Sequence, residues 1–181
     1  MKDLALHILD IAQNSLKAKA TNVCISITDS QKTNLYSIAI KDNGTGMDVE
    51  TVRKVTDPYF TSRTTRKVGL GIPLFKQNAE LTGGTLKIES ALGIGTTLKC
   101  DFINNHIDRP SRGDIAGVYL ILLVANPDIN IELKYKSDFG EFNISTIAIK
   151  EQIEDIPINT QEVQKFIRDL INENLIELKA N

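Results

Sequence analysis

The chain has 181 residues, 41% of them hydrophobic and 24% charged, with a formal net charge of -2. That suits a soluble globular protein with one good core plus a small appendage, and it offers no basic face to a nucleic-acid backbone. The longest apolar run, Val118–Ala125, is too short to span a bilayer, and the N-terminus lacks a charged-then-apolar signal, so a cytoplasmic protein that binds neither membrane nor nucleic acid is expected.

Residues Lys2–Lys19 read as a helix. Leu4, Ile8, Ile11, Ala12 and Leu16 recur at helical spacing, while Asp10, Asn14 and Lys17 fall three or four apart on another side. Such a polar stripe is commonly a solvated helix face, but an Asn amide is also a good magnesium or phosphate ligand, and a carboxylate one turn earlier can hold a water. Val23–Thr28 and Leu35–Lys41 predict an antiparallel strand pair across the polar turn Asp29–Asn34.

The second strand delivers the loop Asp42-Asn43-Gly44-Thr45-Gly46-Met47. Taken alone it is equally an ordinary Asn-Gly turn. Its company argues for a site, because eight of the eleven glycines lie between Gly44 and Gly95, concentrating close backbone approach in one region. Asp48 then caps a short helix through Lys54 that Thr56-Asp57-Pro58 stops.

Tyr59–Val68 is polar, basic and without apolar periodicity, and predicts a mobile loop carrying Arg63, Arg66 and Lys67. It is either a solvated charged loop or the approach of a polyphosphate, since it leads through Gly69-Leu70-Gly71 into a helix start, where unpaired N–H groups and the helix dipole favour anions. That helix covers Leu70–Thr82, with Pro73 in its first turn and Gly83-Gly84 as its stop. Thr85–Ser90 and Thr96–Phe102 form a hairpin across Ala91–Gly95 and close a first domain, residues 1–104.

Residues 105–113 read as a linker and 114–181 as a small αββα domain. A buried helix over Ile115–Ala125 is followed by a hairpin of Ile129–Tyr135 and Glu141–Ile149. An amphipathic helix starting at Thr160 places Val163, Phe166, Ile167, Leu170 and Ile171 on one face. Cys24 and Cys100 lack CxxC spacing and lie in apolar strand-like stretches, which predicts buried free thiols; His7 and His106 are too few to suggest zinc.

Together the boxes of the first 103 residues resemble the Bergerat-fold (GHKL) ATP-binding family of gyrase, Hsp90, histidine kinases and MutL, closest to the histidine-kinase type. Leu9–Ala18 is similar to the N box, Asp42–Gly46 to the G1 box, Asp57-Pro58-Tyr59-Phe60 to the F box, Gly69–Gly71 to the G2 box and Gly93–Thr96 to the G3 box. The resemblance implies an α+β fold, a two-layer sandwich of a mixed sheet with helices on one face. It also implies ATP and Mg²⁺ as cofactors.

By resemblance, Asn14 holds Mg²⁺ and Lys17 touches a phosphate oxygen. Asp42 accepts the adenine amino hydrogen, Gly46 leaves room for the base, and Thr96 helps through water. Backbone N–H groups at Gly69, Leu70 and Gly71 cradle phosphates, and Gly44, Met47, Phe60 and Arg63 complete the nucleotide contacts. A carboxylate accepting from an exocyclic amine selects adenine over guanine, which presents a carbonyl there.

Asp10 takes the place where the family typically carries Glu or Asn, one methylene shorter than Glu, and is the candidate base. The chain begins at the N box without a phosphoacceptor domain, so self-phosphorylation in the sensor-kinase manner is not expected. His7 is a core or surface residue on this reading. The functions implied are a regulatory protein that phosphorylates or switches a separate protein partner, a slow ATPase that acts as a conformational switch, or a non-catalytic nucleotide-sensing, anti-sigma-like binding module. A homodimer is compatible with each.

Overall fold

The computed structural model describes residues 3–56, 70–154 and 156–180. The first helix, α1 (Leu4–Lys17), starts where Asp3 accepts a hydrogen bond from the Leu6 N–H at 2.9 Å. It buries Leu4, Ala5, Ile8, Ile11 and Ala12, the apolar stripe that its spacing predicts. Strands β1 (Asn22–Ser30) and β2 (Leu35–Asp42) pair antiparallel, from Val23 opposite Asp42 to Ser30 opposite Leu35. A short helix α2 (Val49–Val55) follows, its first turn capped by Asp48 through the Thr51 N–H. Then come α3 (Gly71–Leu81) and the hairpin β3 (Thr85–Ala91) with β4 (Gly95–Ile103).

The C-terminal part comprises α4 (Ile115–Ala125), β5 (Asn130–Ser137), β6 (Gly140–Ser145), α5 (Thr146–Ile153) and α6 (Gln161–Glu177). Its strands do not build a sheet of their own. β5 lies parallel on β1, with Val23 opposite Ile131 and Ile27 opposite Tyr135, so the described strands form one six-stranded mixed sheet in the order β3-β4-β2-β1-β5-β6. Alternate residues of its inner strands, such as Ile25, Ile38, Leu98 and Leu133, are buried in one core with α1, α3 and α4. The opposite face carries polar or charged residues such as Ser26, Lys41, Lys99 and Lys134, which gives the two-layer α+β sandwich.

Two local expectations are corrected. The strand expected to run to Ile149 stops at Ser145, whose hydroxyl accepts the Ala148 N–H at 3.2 Å and caps α5; a serine side chain offers the backbone a helix start that alternation alone does not reveal. Phe166 was expected on the buried face of α6 but is 55% exposed, because Val163, Ile167, Ile171 and Leu175 already fill the seam against the core.

The segment joining the two halves is tied down. Asn104 donates to Asp29 at 2.8 Å, Tyr135 donates to the same carboxylate at 3.0 Å, and the Arg109 guanidinium lies 4.9 Å from the centre of the Tyr36 ring. Leu4 and Ala5 donate backbone hydrogen bonds to the carbonyls of Ser111 and Arg112. Asp29, Asn104 and Tyr135 thus satisfy one another in place of water. Cys100 is buried and Cys24 half-buried, both free thiols. Among the described residues no helix is long and apolar enough to cross a membrane.

His7 is fully buried, stacked on Phe75 with ring centres 4.7 Å apart and hydrogen-bonded through Nε2 to the Asn78 amide at 2.9 Å. Burial lowers its pKa from 6.5 to about 4. The unfolded chain takes up this proton below about pH 6.5 and the native chain does not. Stability is therefore intact above that pH and falls as pH drops towards 4, by roughly 2 kcal/mol at pH 4.5. His7→Gln keeps a polar side chain for Asn78 without titrating. In urea unfolding at pH 7.5 and 4.5, it should lose less stability on acidification than the parent by about that amount; equal losses would remove His7 as the cause.

Candidate functional site

The end of β2 and the C-terminal turn of α1 meet at Asp42. This carboxylate is 9% exposed and is held from three sides. The Ser15 hydroxyl donates to Oδ2 at 2.6 Å, while the N–H groups of Gly44 and Thr96 donate to Oδ1 at 2.9 and 3.2 Å. An ionised carboxylate offers about four acceptor positions, so about one is left for an incoming donor. The side chain can accept from a ligand while its orientation is fixed by α1, its own loop and β4.

The loop after Asp42 is pressed onto the β3–β4 turn. Thr45 accepts from the Gly93 N–H and donates its own N–H to the Ala18 carbonyl, both at 2.8 Å. Gly46 has φ +67°, and a Cβ there would stand 2.0 Å from the Ala91 carbonyl oxygen. The room this glycine leaves is thus taken by the neighbouring turn. Gly95 has φ +123°, and a Cβ on it would meet the Asp42 carbonyl at 2.1 Å. The Met47 N–H bonds to Ser90 Oγ at 2.8 Å, and Ser90 bonds to the Gly95 carbonyl and to Thr96 Oγ1. Asp42, Gly44, Gly46, Met47 and Thr96 are therefore brought together, and Thr96 bonds Asp42 directly through its backbone.

A second cluster forms where α1 faces the start of α3. Asp10 Oδ2 is buried without a hydrogen-bond partner among the described residues, and a Cβ on Gly71 would fall 1.7 Å from it. Among the described residues no side chain caps α3, whose flanking residue Leu70 is 55% exposed. Its first N–H groups are therefore available to an anion. Asn14 lies one turn after Asp10 on α1, half-buried, its amide without a partner among the described residues. Lys17 is exposed in the last turn of the same helix. The expected contacts Phe60, Arg63 and Gly69 lie outside the described residues.

Two residues that hold this site together escaped the sequence reading. Ser15 is 4% exposed on the buried face of α1, which apart from His7 is otherwise apolar, and a polar residue at that spacing was the available signal. Ser90, next to last in β3, stands opposite Thr96 and is recognisable only once the hairpin register is known.

The family of histidine kinase-, DNA gyrase B- and HSP90-like ATPases matches residues 2–106, more than half of the chain. A sensor histidine kinase of Bacillus subtilis is 33% identical over 89 residues, 47% of this chain and 15% of that protein. A histidine protein kinase of Caulobacter vibrioides is 30% identical over 95 residues, 50% of this chain and 16% of that protein. The chain thus spans about a sixth of the length of these relatives. The ATPase domain of Aquifex aeolicus MutL, solved with ADP, shares the fold at a TM-score of 0.51 and 18% identity, over 85% of this chain and 68% of its own. With the boxes in order, the matching fold and more than half of the chain covered, the protein belongs to the histidine kinase-, DNA gyrase B- and HSP90-like ATPase family and carries its ATP-binding domain.

Proposed function

We propose that the chain binds ATP together with Mg²⁺ and uses it to phosphorylate or switch a separate protein partner. The observation that carries this reading is Asp10 Oδ2, buried against the start of α3 and one turn from the Asn14 amide, with no hydrogen-bond partner for either side chain and no side-chain cap on α3 among the described residues. Unsatisfied buried oxygens are rare in folded proteins and call for a cation, water or proton. The bound nucleotide supplies a transferable phosphoryl group, whose charge the metal offsets.

On this reading Asn14 would hold the metal. Lys17 and the first N–H groups of α3, with Gly71 leaving its Cα bare, would face phosphate oxygens. Asp42 would use its remaining acceptor position on the adenine amine. Asp10 would hold, on Oδ2, the proton of the attacking group. Histidine-kinase relatives and a MutL neighbour solved with ADP support the nucleotide and the signalling role. The burial of Oδ2 also favours a second reading, a slow ATPase that acts as a conformational switch, because that oxygen is out of contact with solvent until the start of α3 shifts.

Incubation with γ-labelled ATP and candidate partner proteins separates the readings: label on a partner supports transfer, free phosphate alone supports the switch, and bound ATP without either leaves a sensor. Asn14→Ala tests the metal assignment. In the parent, Mg²⁺ should strengthen ATP binding in equilibrium titrations; in the variant that gain should vanish with the melting temperature little changed, since the Asn14 amide holds no hydrogen bond among the described residues and lies off the apolar stripe of α1. A preserved magnesium response would move the ligand elsewhere.

A further inference from the structure

Helix α4 has the sequence IAGVYLILLVA, without a charged residue, yet it is not fully covered. It packs between α1 and α6, and above it these helices leave a groove of about 700 Å³. Leu6 and Leu9 of α1 form one wall, Ile121 and Val124 of α4 the floor, and Lys165 and Arg168 of α6 the other wall. Ile121 is 54% exposed and Leu6 41%. A helix that is apolar on all sides belongs in an interior, so this outward ridge implies something that covers it.

We propose that the groove docks an amphipathic helix of a protein partner, apolar on the face it buries and acidic along the edge that meets α6. Shape selects the occupant. Because α4 packs against both α1 and α6, the groove above it is flanked by a helix on either side and accepts a rod with anchors at i, i+4 and i+7. A bilayer surface is too flat to reach the floor.

Charge selects the edge. Lys165 has no ion partner among the described residues, and Arg168, 3.0 Å from Asp114, is still about half exposed. The α1 wall contributes only Leu6 and Leu9 to the lining. Asp114 at the head of α4 also lines the groove but is engaged by Arg168, so the unpaired charge of the lining is Lys165 on α6, which orients an acidic edge towards that wall. Docking does not depend on the nucleotide reading, so it is tested without ATP and its outcome is separate from that of the ATP-binding experiments.

The chain contains no tryptophan, so a tryptophan in a peptide reports binding directly. The probe is a designed peptide of about four helical turns with Leu and one Trp on a single stripe and Glu along one edge. Two comparison peptides carry Lys in place of Glu, or the first composition scrambled to destroy the stripe. The acidic striped peptide should bind with a blue-shifted emission, more tightly than either comparison. Ile121→Glu should weaken it at least about tenfold by placing a charge on the apolar floor.

Lys165→Glu, fully on the surface, should weaken the acidic peptide several-fold and strengthen the lysine one. Equal binding of all three peptides, or binding indifferent to both substitutions, overturns the proposal. So does a parent that sediments as a dimer dispersed by Ile121→Glu, which assigns the groove to a second copy. Pelleting with phosphatidylserine vesicles that Ile121→Glu abolishes assigns it to a membrane and also overturns the proposal.

Discussion

Asp42→Asn should fold as the parent does and lose ATP binding by about a hundredfold. The substitution is isosteric, and its carbonyl oxygen can still accept from the Gly44 and Thr96 N–H groups that hold Oδ1 now. Its NH₂ then replaces Oδ2, where Ser15 can turn its hydroxyl to accept instead of donate. What cannot be repaired is the outward position: if Asp42 reads the base as proposed, an N–H would then face the adenine amine, donor against donor. Leaving such a pair unmatched in a dry site costs roughly 2–3 kcal/mol, which is the expected loss in affinity.

The readout is the thermal shift with saturating ATP and with GTP. The parent should be stabilised by ATP, by about 2.7 kcal/mol at a hundred times the dissociation constant, and much less by GTP. The variant should show little shift with either. Equal shifts with both nucleotides in the parent would count against Asp42 as the reader of the base. Asp42→Ala is the harsher comparison. It strands one hydroxyl and two N–H groups, so it should also lower the melting temperature in the absence of nucleotide.

The second large effect concerns Asp10. Asp10→Asn keeps the volume packed beside Gly71 but cannot take a proton, so turnover or transfer should fall by about 10² to 10⁴ while ATP affinity stays within about threefold. Stability gives an independent reading. In the parent a carboxylate oxygen is buried without a partner among the described residues, a costly arrangement, and the neutral amide should leave the urea midpoint unchanged or raise it. A residue kept for packing would instead lose stability on substitution. Asp10→Glu extends the reach by one methylene, and an improved rate would show that distance limits the parent. Undiminished turnover in Asp10→Asn would assign the proton to another group.

Local chemistry made much of this protein legible in its residues. The helical period of Leu4, Ile8 and Ile11, the capping residues Asp48 and Thr160 and the alternation in β1 and β2 act over a few residues, and the structure keeps these elements near their expected bounds. The same holds for α4, whose apolar run is bounded by the capping Asp114 and by Asn126. The order of the boxes placed Asp42 at a strand end and Asp10 and Asn14 on one helix, because glycine spacing and helical periodicity are properties of the chain alone.

What only the tertiary structure decided are the meetings of distant residues. Alternation in β5 predicts a buried face but not a neighbour; Asn130 reaches Asn22 across 108 positions because the free edge of β1 was there to pair. The grip of Ser15 on Asp42, the contact of Asp10 with Gly71 and the exposure of Phe166 have the same origin. A period fixes which residues share a face, whereas the element that covers that face, and so whether a polar group on it is satisfied, is set by packing.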